Sequence, residues 1–488
     1  MPLSVKNLIS ILGILLVFLA ALMMIPLALS FVYDEQRVSV SFISSAVFFA
    51  AIGFLLARNF PIAKLKLKNR DGFLIVTGCW LIFSLISAIP FVATGAIPNA
   101  ADAFFESCSG YSTTGSTILT DIESLPKSIL FWRSMTHWIG GLGIVVFTSA
   151  IFALSGIEGQ AIVSVETPGP TFDKISPRFS ENAKKLVKLY IFFTFMEVLF
   201  LMLGGVSVYD SFLHTFGTVG TGGFSCYNES IAHFQNPYVH WVIIAFMLLC
   251  GINFNLFFML IKYGIKNFFS NDELILYLKI IAISSILTTT NLMLKGGYEV
   301  FGKAVRESVF QVVSIITTTG YITSDYELWP TFTKMILLTL MLTGACASST
   351  GGGPKVIRII MGLKLIRRGI TLRIHPKQVY SISISGQNIS QEIMTNAANF
   401  LFLYILTIFA GTTLISIDGF DVMTTFSAVV TCIGNVGPGF SGVGPTFNFA
   451  NFSSFSKIIL SIIMIAGRLE LFAVFSLFSR KYWNPNRA

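Results

Sequence analysis

The 488-residue chain is 54% apolar, 14% aromatic and only 12% charged, with a net charge of +9 and a mean hydropathy of +0.75. Water-soluble domains carry about 25% charged residues, so this composition excludes a soluble enzyme, a disordered chain and a disulfide-stapled secreted module. A polytopic membrane protein remains.

A membrane helix needs roughly 20 mainly apolar residues. Stretches near 8–32, 38–57, 72–95, 130–154, 186–206, 238–262, 274–294, 333–351, 394–416 and 456–479 qualify. The first is longer than a signal-peptide core and lacks a small-residue cleavage site followed by polar chain, so it is expected to stay as a helix. With the N-terminus inside, most lysines and arginines fall in the inner segments, among them the basic runs near 58–70, 166–188 and 355–378. The reverse orientation would break the positive-inside bias. The surplus of positive charge is therefore a matter of topology, and nucleic acid is not an expected partner. Many acids, such as Asp102, Asp210, Glu307 and Asp421, fall on the outer half, where they favour cations.

Four of the outer connections contain a half-apolar segment too short to cross the membrane, and each ends at a glycine about a hundred residues from the next. Aligned without gaps on Gly115, Gly223, Gly320 and Gly437, they read DAFFESCSGYSTTG, DSFLHTFGTVGTGG, ESVFQVVSIITTTG and TTFSAVVTCIGNVG. The first column (Asp102, Asp210, Glu307, Thr424) suits the start of a helix, as an N-cap or beside the positive end of the dipole. Each unit reads as helix, re-entrant half-helix, short extended segment, helix. In the second unit Gly220, Gly222 and Gly223 compete, and the common spacing selects Gly223. Irregular backbone at membrane depth is tolerated only in protein or along a watery cavity. Four such segments on one axis would meet that rule, with carbonyls able to replace a cation's hydration shell.

Two further features stand out. The run from Ile336 breaks at TGACASSTGGGPK (343–355), which reads either as an unwound stretch inside a span or as a small-residue packing face. Arg468, in IAGRLELF, is an intramembrane charge and is expected to face the pore, to meet another helix's acid such as Glu197, or to serve a structural hydrogen bond. Residues two apart on a helix diverge, which argues against an Arg468–Glu470 pair. The six cysteines have no CxxC spacing and read as buried thiols, and the five histidines have no ligand spacing. His137-Trp138 reads as an interfacial or packing pair. No Walker or GxGxxG sequence follows a strand, so no nucleotide or other cofactor is expected in this chain, and no enzymatic activity.

The four segments Ser112-Thr113-Thr114-Gly115-Ser116, Thr221-Gly222-Gly223-Phe224, Thr318-Thr319-Gly320-Tyr321 and Asn435-Val436-Gly437-Pro438-Gly439 resemble those of the TrkH/KtrB/HKT superfamily of potassium transporters. WRSMTHWIGGLGI (132–144), ETPGPTFDKISPR (166–178) and STGGGPK (349–355) resemble its bacterial TrkH branch most closely. The resemblance covers nearly the whole chain. It implies an all-α polytopic membrane protein, with four helix–pore-loop–helix repeats around a pseudo-fourfold pore and two extra N-terminal helices. The segments are then 1–70 for that pair and 71–180, 181–271, 272–380 and 381–488 for the repeats. It implies potassium uptake across a bacterial inner membrane, with a cation symporter coupling potassium to protons or sodium as the alternative. The filter would comprise Thr113, Thr114, Gly115, Thr221, Gly222, Gly223, Thr318, Thr319, Gly320, Asn435, Val436 and Gly437. Sodium-permeable plant members can carry serine at the first filter glycine, so Gly115 implies potassium preference. The fourth segment departs from TTG to NVG, which leaves its carbonyl geometry open. The gate would comprise an intramembrane loop with Gly344, Ser348, Ser349, Gly351, Gly352, Gly353 and an anchoring Lys355, together with the positive charge of Arg468 below the filter. Membrane lipid, a homodimer and a cytoplasmic TrkA-type nucleotide-binding subunit are the implied partners. The basic inner segments suit such docking, or simply reflect topology.

Overall fold

The computed structural model describes residues 3–60, 69–143, 179–378 and 381–483. Two apolar helices, α1 (Leu3–Val32) and α2 (Gln36–Asn59), form an N-terminal hairpin. They approach closely because Gly13 and Gly53 face one another, and the Ser30 and Ser39 hydroxyls share a hydrogen bond of 2.8 Å. Small residues allow such contact where no hydrophobic force drives helices together in lipid. Glu35, at the turn of the hairpin, accepts the Lys127 and Ser128 N–H groups at 2.7 and 3.2 Å. It thereby docks the hairpin on the first repeat.

The rest of the described chain repeats one pattern four times. The first repeat has α3 (Asn69–Thr94), a short α4 (Ala100–Tyr111) and α5 (Lys127–Leu142). The second has α6 (Phe179–Leu203), a short α7 (Val208–Val219), then α8 (Pro237–Gly251) and α9 (Phe254–Tyr263). The third has α10 (Asp272–Lys295), a short α11 (Phe301–Ile316), then α12 (Thr331–Met341) and α13 (Val356–Ile374). The fourth has α14 (Gln391–Ile415), a short α15 (Val422–Gly434), then α16 (Ser454–Arg468) and α17 (Phe472–Leu477).

Among the described residues, six helices are long and apolar enough to cross a membrane, or seven if the bent pair α8–α9 counts as one span. Three of the ten expected spans are broken. The 238–262 span bends by 87° at Ile252-Asn253, where the Asn253 side chain starts a new helix by accepting the Asn255 N–H at 3.0 Å. The 333–351 span ends at Met341, and the 456–479 span ends at Arg468. The 130–154 span is seen as α5, and its part beyond Gly143 lies outside the described residues, as does the 166–178 motif. The basic run 355–378 is mostly helix α13, and a two-stranded turn at 383–388 follows it.

The starts of the short helices differ from expectation. Asn99, Ser207 and Asp421 are the N-caps of α4, α7 and α15, each accepting the N–H of the column residue Asp102, Asp210 or Thr424. The column therefore stands at the third helical position in those three, and Glu307 lies inside α11. Both the cap and the first turn favour short polar or acidic side chains, which is why the two positions are easily exchanged.

A side chain at Gly53 would place Cβ 2.6 Å from the Gly13 carbonyl, whereas Gly78 has open space around it. Overpacking typically costs about 1–3 kcal/mol. Gly53→Ile should lower the thermal midpoint of the purified protein by several degrees, and Gly78→Ala should not lower it.

Candidate functional site

Each short helix ends in the same backbone motif. Thr113, Thr221, Thr318 and Asn435 have φ of 55°, 54°, 60° and 54°, and Gly115, Gly223, Gly320 and Gly437 have φ of 83°, 76°, 77° and 101°. The residue between them has negative φ, so left- and right-handed conformations alternate along every segment. The N–H of that middle residue closes the helix end in a Schellman-type bond. Thr114 donates to Ser109, Gly222 to Gly217, Thr319 to Ser314 and Val436 to Thr431, at 2.8–2.9 Å. A left-handed β-branched residue costs about 1–2 kcal/mol. Three threonines held this way indicate that the surroundings impose the shape, a pattern typical of functional backbone.

The four segments meet in one ring. A Cβ built on Gly115 would collide with the Gly222 carbonyl, one on Gly223 with that of Thr319, one on Gly320 with that of Val436, and one on Gly437 with that of Thr114. Each glycine thus receives the carbonyl of the next repeat, and the fourth returns to the first. A cavity of about 160 Å³ is lined by all four glycines and by residues that follow them, including Thr117, Ser225, Ile322 and Pro438. The short helices point their C-terminal, partially negative ends at this ring.

This geometry settles the second segment. Gly223 carries the positive φ, as the common spacing requires. Gly220 and Gly222 are small for another reason: side chains there would run into the His137 backbone and ring. His137 is fully buried, stacks on Phe224 at 3.9 Å, and accepts the Phe224 N–H on Nδ1 at 3.3 Å. It packs behind the second segment instead of lying at an interface. In the fourth segment Asn435 takes the left-handed conformation that asparagine tolerates, and Nδ2 donates to Thr114 Oγ1 and the Met464 carbonyl, both at 3.0 Å.

Behind the ring, sequence reading missed a set of braces four residues after the acidic column. Buried Glu106 pairs with buried Arg133 at 2.6 Å and accepts the Thr117 hydroxyl and the Ile118 N–H. Arg133 also donates to the Ser225 carbonyl at 3.0 Å, tying the first segment to the second. At the equivalent position His214 meets the Ser225 hydroxyl at 3.0 Å and Gln311 donates to Thr323 at 3.4 Å. In the fourth repeat the neighbouring Ser427 binds the Phe440 N–H and carbonyl. The signal was present in the fifth column of the alignment, where three of four residues are polar. The acids expected on the outer half act mostly in such roles. Asp102 pairs with Lys457 at 2.7 Å, and Asp418 accepts the Ser453 N–H. Asp121 and Glu123 hold Asn228 at the cavity rim. The Thr424 hydroxyl and N–H hold the Asp421 carboxyl below the usual carboxylate range.

Residues 342–355 form a non-helical loop beneath the ring, so the unwound reading holds over the packing-face reading. The loop returns on itself between Gly344 and Gly353, both with positive φ, and the Val356 N–H donates to the Ala345 carbonyl at 3.0 Å. Gly351 lies against Thr317 and Gly352 against Gly434 and Asn435. The Gly352 N–H donates to Thr318 Oγ1 at 2.7 Å. Ser348 gives its carbonyl to the Phe254 N–H, and Ser349 donates to the Cys346 carbonyl. Carbonyls freed by the α8–α9 bend receive the loop in turn: Gly251 accepts from Cys346, and Cys250 from Thr350. Buried Glu273, also missed from sequence, accepts the N–H groups of Ala347 and Ile357 at 2.7 and 3.1 Å, one on each side of the loop. Lys355 ends the loop as expected, but buried, with its ammonium on the Gly351 carbonyl.

Arg468 stands at the last turn of α16. It donates to the Thr350 carbonyl of the loop at 2.6 Å and to the Gly140 and Gly141 carbonyls of α5 at 2.9 and 3.0 Å. One guanidinium thus joins the first, third and fourth repeats under the ring. The spacing argument about Glu470 does not apply, because the helix ends at Arg468 and both Glu470 and Leu471 have positive φ. Glu470 is bound by Arg358, at 3.2 Å through Nη1, beside the foot of the loop. Glu197 is fully buried on α6.

The ring brings together every expected filter residue, and the loop and Arg468 lie below it. Comparison with known proteins identifies the family. The family described as TrkH, cation transport protein, matches residues 39–485. The Trk system potassium uptake protein TrkH of Escherichia coli K12 is 34% identical over 97% of this chain and 98% of its own. Its namesake in Halomonas elongata is also 34% identical, over 98% and 99%. The crystal structure of the potassium transporter TrkH from Vibrio parahaemolyticus superposes with a TM-score of 0.88 at 30% identity, covering 99% of this chain and all of that one. The chain therefore belongs to the TrkH family of cation transport proteins.

Proposed function

We propose that this chain is the membrane subunit of a potassium uptake system. The observation that carries the reading is the closed ring of four left-handed turns, each glycine receiving the next repeat's carbonyl. Alternating backbone hands turn successive carbonyls the same way, which gives a dehydrated cation the oxygens it needs. Relatives named for potassium uptake across nearly their whole length support potassium as the cargo. The protein is then a transporter and not an enzyme, and potassium is its cargo, with no resident cofactor.

In this mechanism an ion enters the 160 Å³ cavity and sheds water among carbonyls of Thr113–Gly115, Thr221–Gly223, Thr318–Gly320 and Asn435–Gly437. The 342–355 loop obstructs the way down until its bonds to Arg468, Thr318 and Glu273 open. A negative-inside potential contributes about 2.3 kcal/mol per charge per 100 mV to inward movement. The basic inner segments and the location of the acids support cytoplasmic termini and an outward-facing cavity in a bacterial inner membrane. Helix α13 leads directly from the loop to exposed Arg367 and half-buried Arg368. It is the route by which a cytoplasmic nucleotide-binding subunit of the TrkA type would pull on the loop. A homodimer of the membrane subunit completes the proposed assembly.

Thr114→Asp or Gly320→Asp should abolish growth rescue of a potassium-uptake-deficient strain at low potassium, since a carboxylate would fill the ring; undiminished rescue would remove the filter assignment. Deleting 346–352 should raise the basal rubidium flux into liposomes several-fold, and an unaltered flux would remove the loop as the gate. Reversal potentials should follow the potassium gradient and stay unmoved by imposed proton or sodium gradients; movement with either would make the protein a symporter.

A further inference from the structure

Two residues before each ring glycine stands a side chain with an oxygen acceptor: Thr113, Thr221, Thr318 and Asn435, all fully buried. Their hydrogen bonding is unequal. Thr113 Oγ1 and Asn435 Oδ1 have no hydrogen-bond partner, although Asn435 Nδ2 is fully engaged. Thr221 Oγ1 donates its proton to the Gly220 carbonyl and keeps its lone pairs. Thr318 Oγ1 accepts the Gly352 N–H of the loop at 2.7 Å. A Cβ on Gly352 would lie 3.0 Å from Asn435 Oδ1, so this one loop residue sits beside the oxygens of both the third and the fourth repeats.

Buried oxygens left without donors are costly unless something positive meets them. Neutral hydroxyl and amide oxygens suit a hard monovalent cation that has lost its water. We propose that the closed loop competes with potassium for these side-chain oxygens at the inner end of the filter. The loop places the positive end of the Gly352 N–H dipole on one lone pair of Thr318 Oγ1, beside the second lone pair that a bound ion would use, so the two positive charges oppose each other. Loop closure and ion occupancy are therefore mutually antagonistic, and by linkage each weakens the other equally. Thr318 is both an ion ligand and the latch of the loop. This proposal rests on the potassium-filter reading and adds that the transported ion helps release its own gate.

Cys346, buried inside the loop, is a built-in reporter. The purified full chain in liposomes is treated with N-ethylmaleimide in potassium chloride or in choline chloride of equal ionic strength, and Cys346 labelling is followed by peptide mapping. Potassium should raise the labelling rate several-fold while buried Cys108 and Cys432 stay protected. Thr318→Val should give fast labelling in choline with no further potassium response, and Thr318→Ser, which keeps the hydroxyl, should restore the wild-type pattern. Wild-type labelling that ignores potassium or slows in it would overturn the competition, as would a potassium response retained in Thr318→Val. Rubidium tracer flux in the same liposomes separates the two levels. Potassium-selective flux without potassium-dependent labelling sinks this proposal alone, and the absence of such flux sinks the filter reading beneath it.

Discussion

Irregular backbone at membrane depth must find hydrogen-bond partners within the protein, because lipid offers none. The centre of this molecule is organised by that constraint. The ring segments satisfy their amides through the ends of the short helices, and their flanks through Glu106, Arg133, His214 and Ser427. The loop draws on carbonyls exposed by the α8–α9 bend, on the Glu273 carboxylate and on the Thr318 hydroxyl. A break in one repeat thus supplies what a break in another lacks. The bend and the loop are parts of one polar network, and neither is accommodated without the other.

The four repeats share a backbone but not a chemistry. The brace behind the ring is an ion pair in the first, an imidazole in the second, an amide in the third and a hydroxyl in the fourth. Breaking a buried ion pair by removing one partner typically costs about 3–5 kcal/mol, whereas a neutral hydrogen bond contributes about 1. The first brace is therefore the one that tolerates loss of a single partner least. The third, whose brace is a 3.4 Å amide contact, is the one that accepts a hydrogen bond from the loop.

Much of this was legible in the chain itself. Composition marked the membrane, and the gapless alignment on Gly115, Gly223, Gly320 and Gly437 identified the residues that carry the left-handed turns. The small-residue run at 343–355 marked the loop. What stayed hidden depended on distant partners. Gly220 and Gly222 look like rival ring glycines until His137, more than eighty positions earlier, is seen to fill the space beside them. Glu273 looks like an ordinary acid in a first helical turn, because its loop partners lie far along the chain. The break after Gly251 sits in a run as apolar as any span, and the one after Arg468 in a run whose Arg468 and Glu470 charges do not by themselves end a helix. Only packing against the loop and against Ile433 distinguishes them.

The ring closes between its last and first members. Asn435 reaches Thr114, Ser116 reaches the Gly437 carbonyl, and Lys457 reaches Asp102. These contacts close loops of 321 to 355 residues, so the loop-closure entropy they must overcome is large. A nascent chain can insert its helices in order, but it cannot complete the ring until the fourth quarter has been made. Until then Thr114 presents a carbonyl edge with no glycine to receive it. Completion of the ring is thereby tied to synthesis of the fourth repeat.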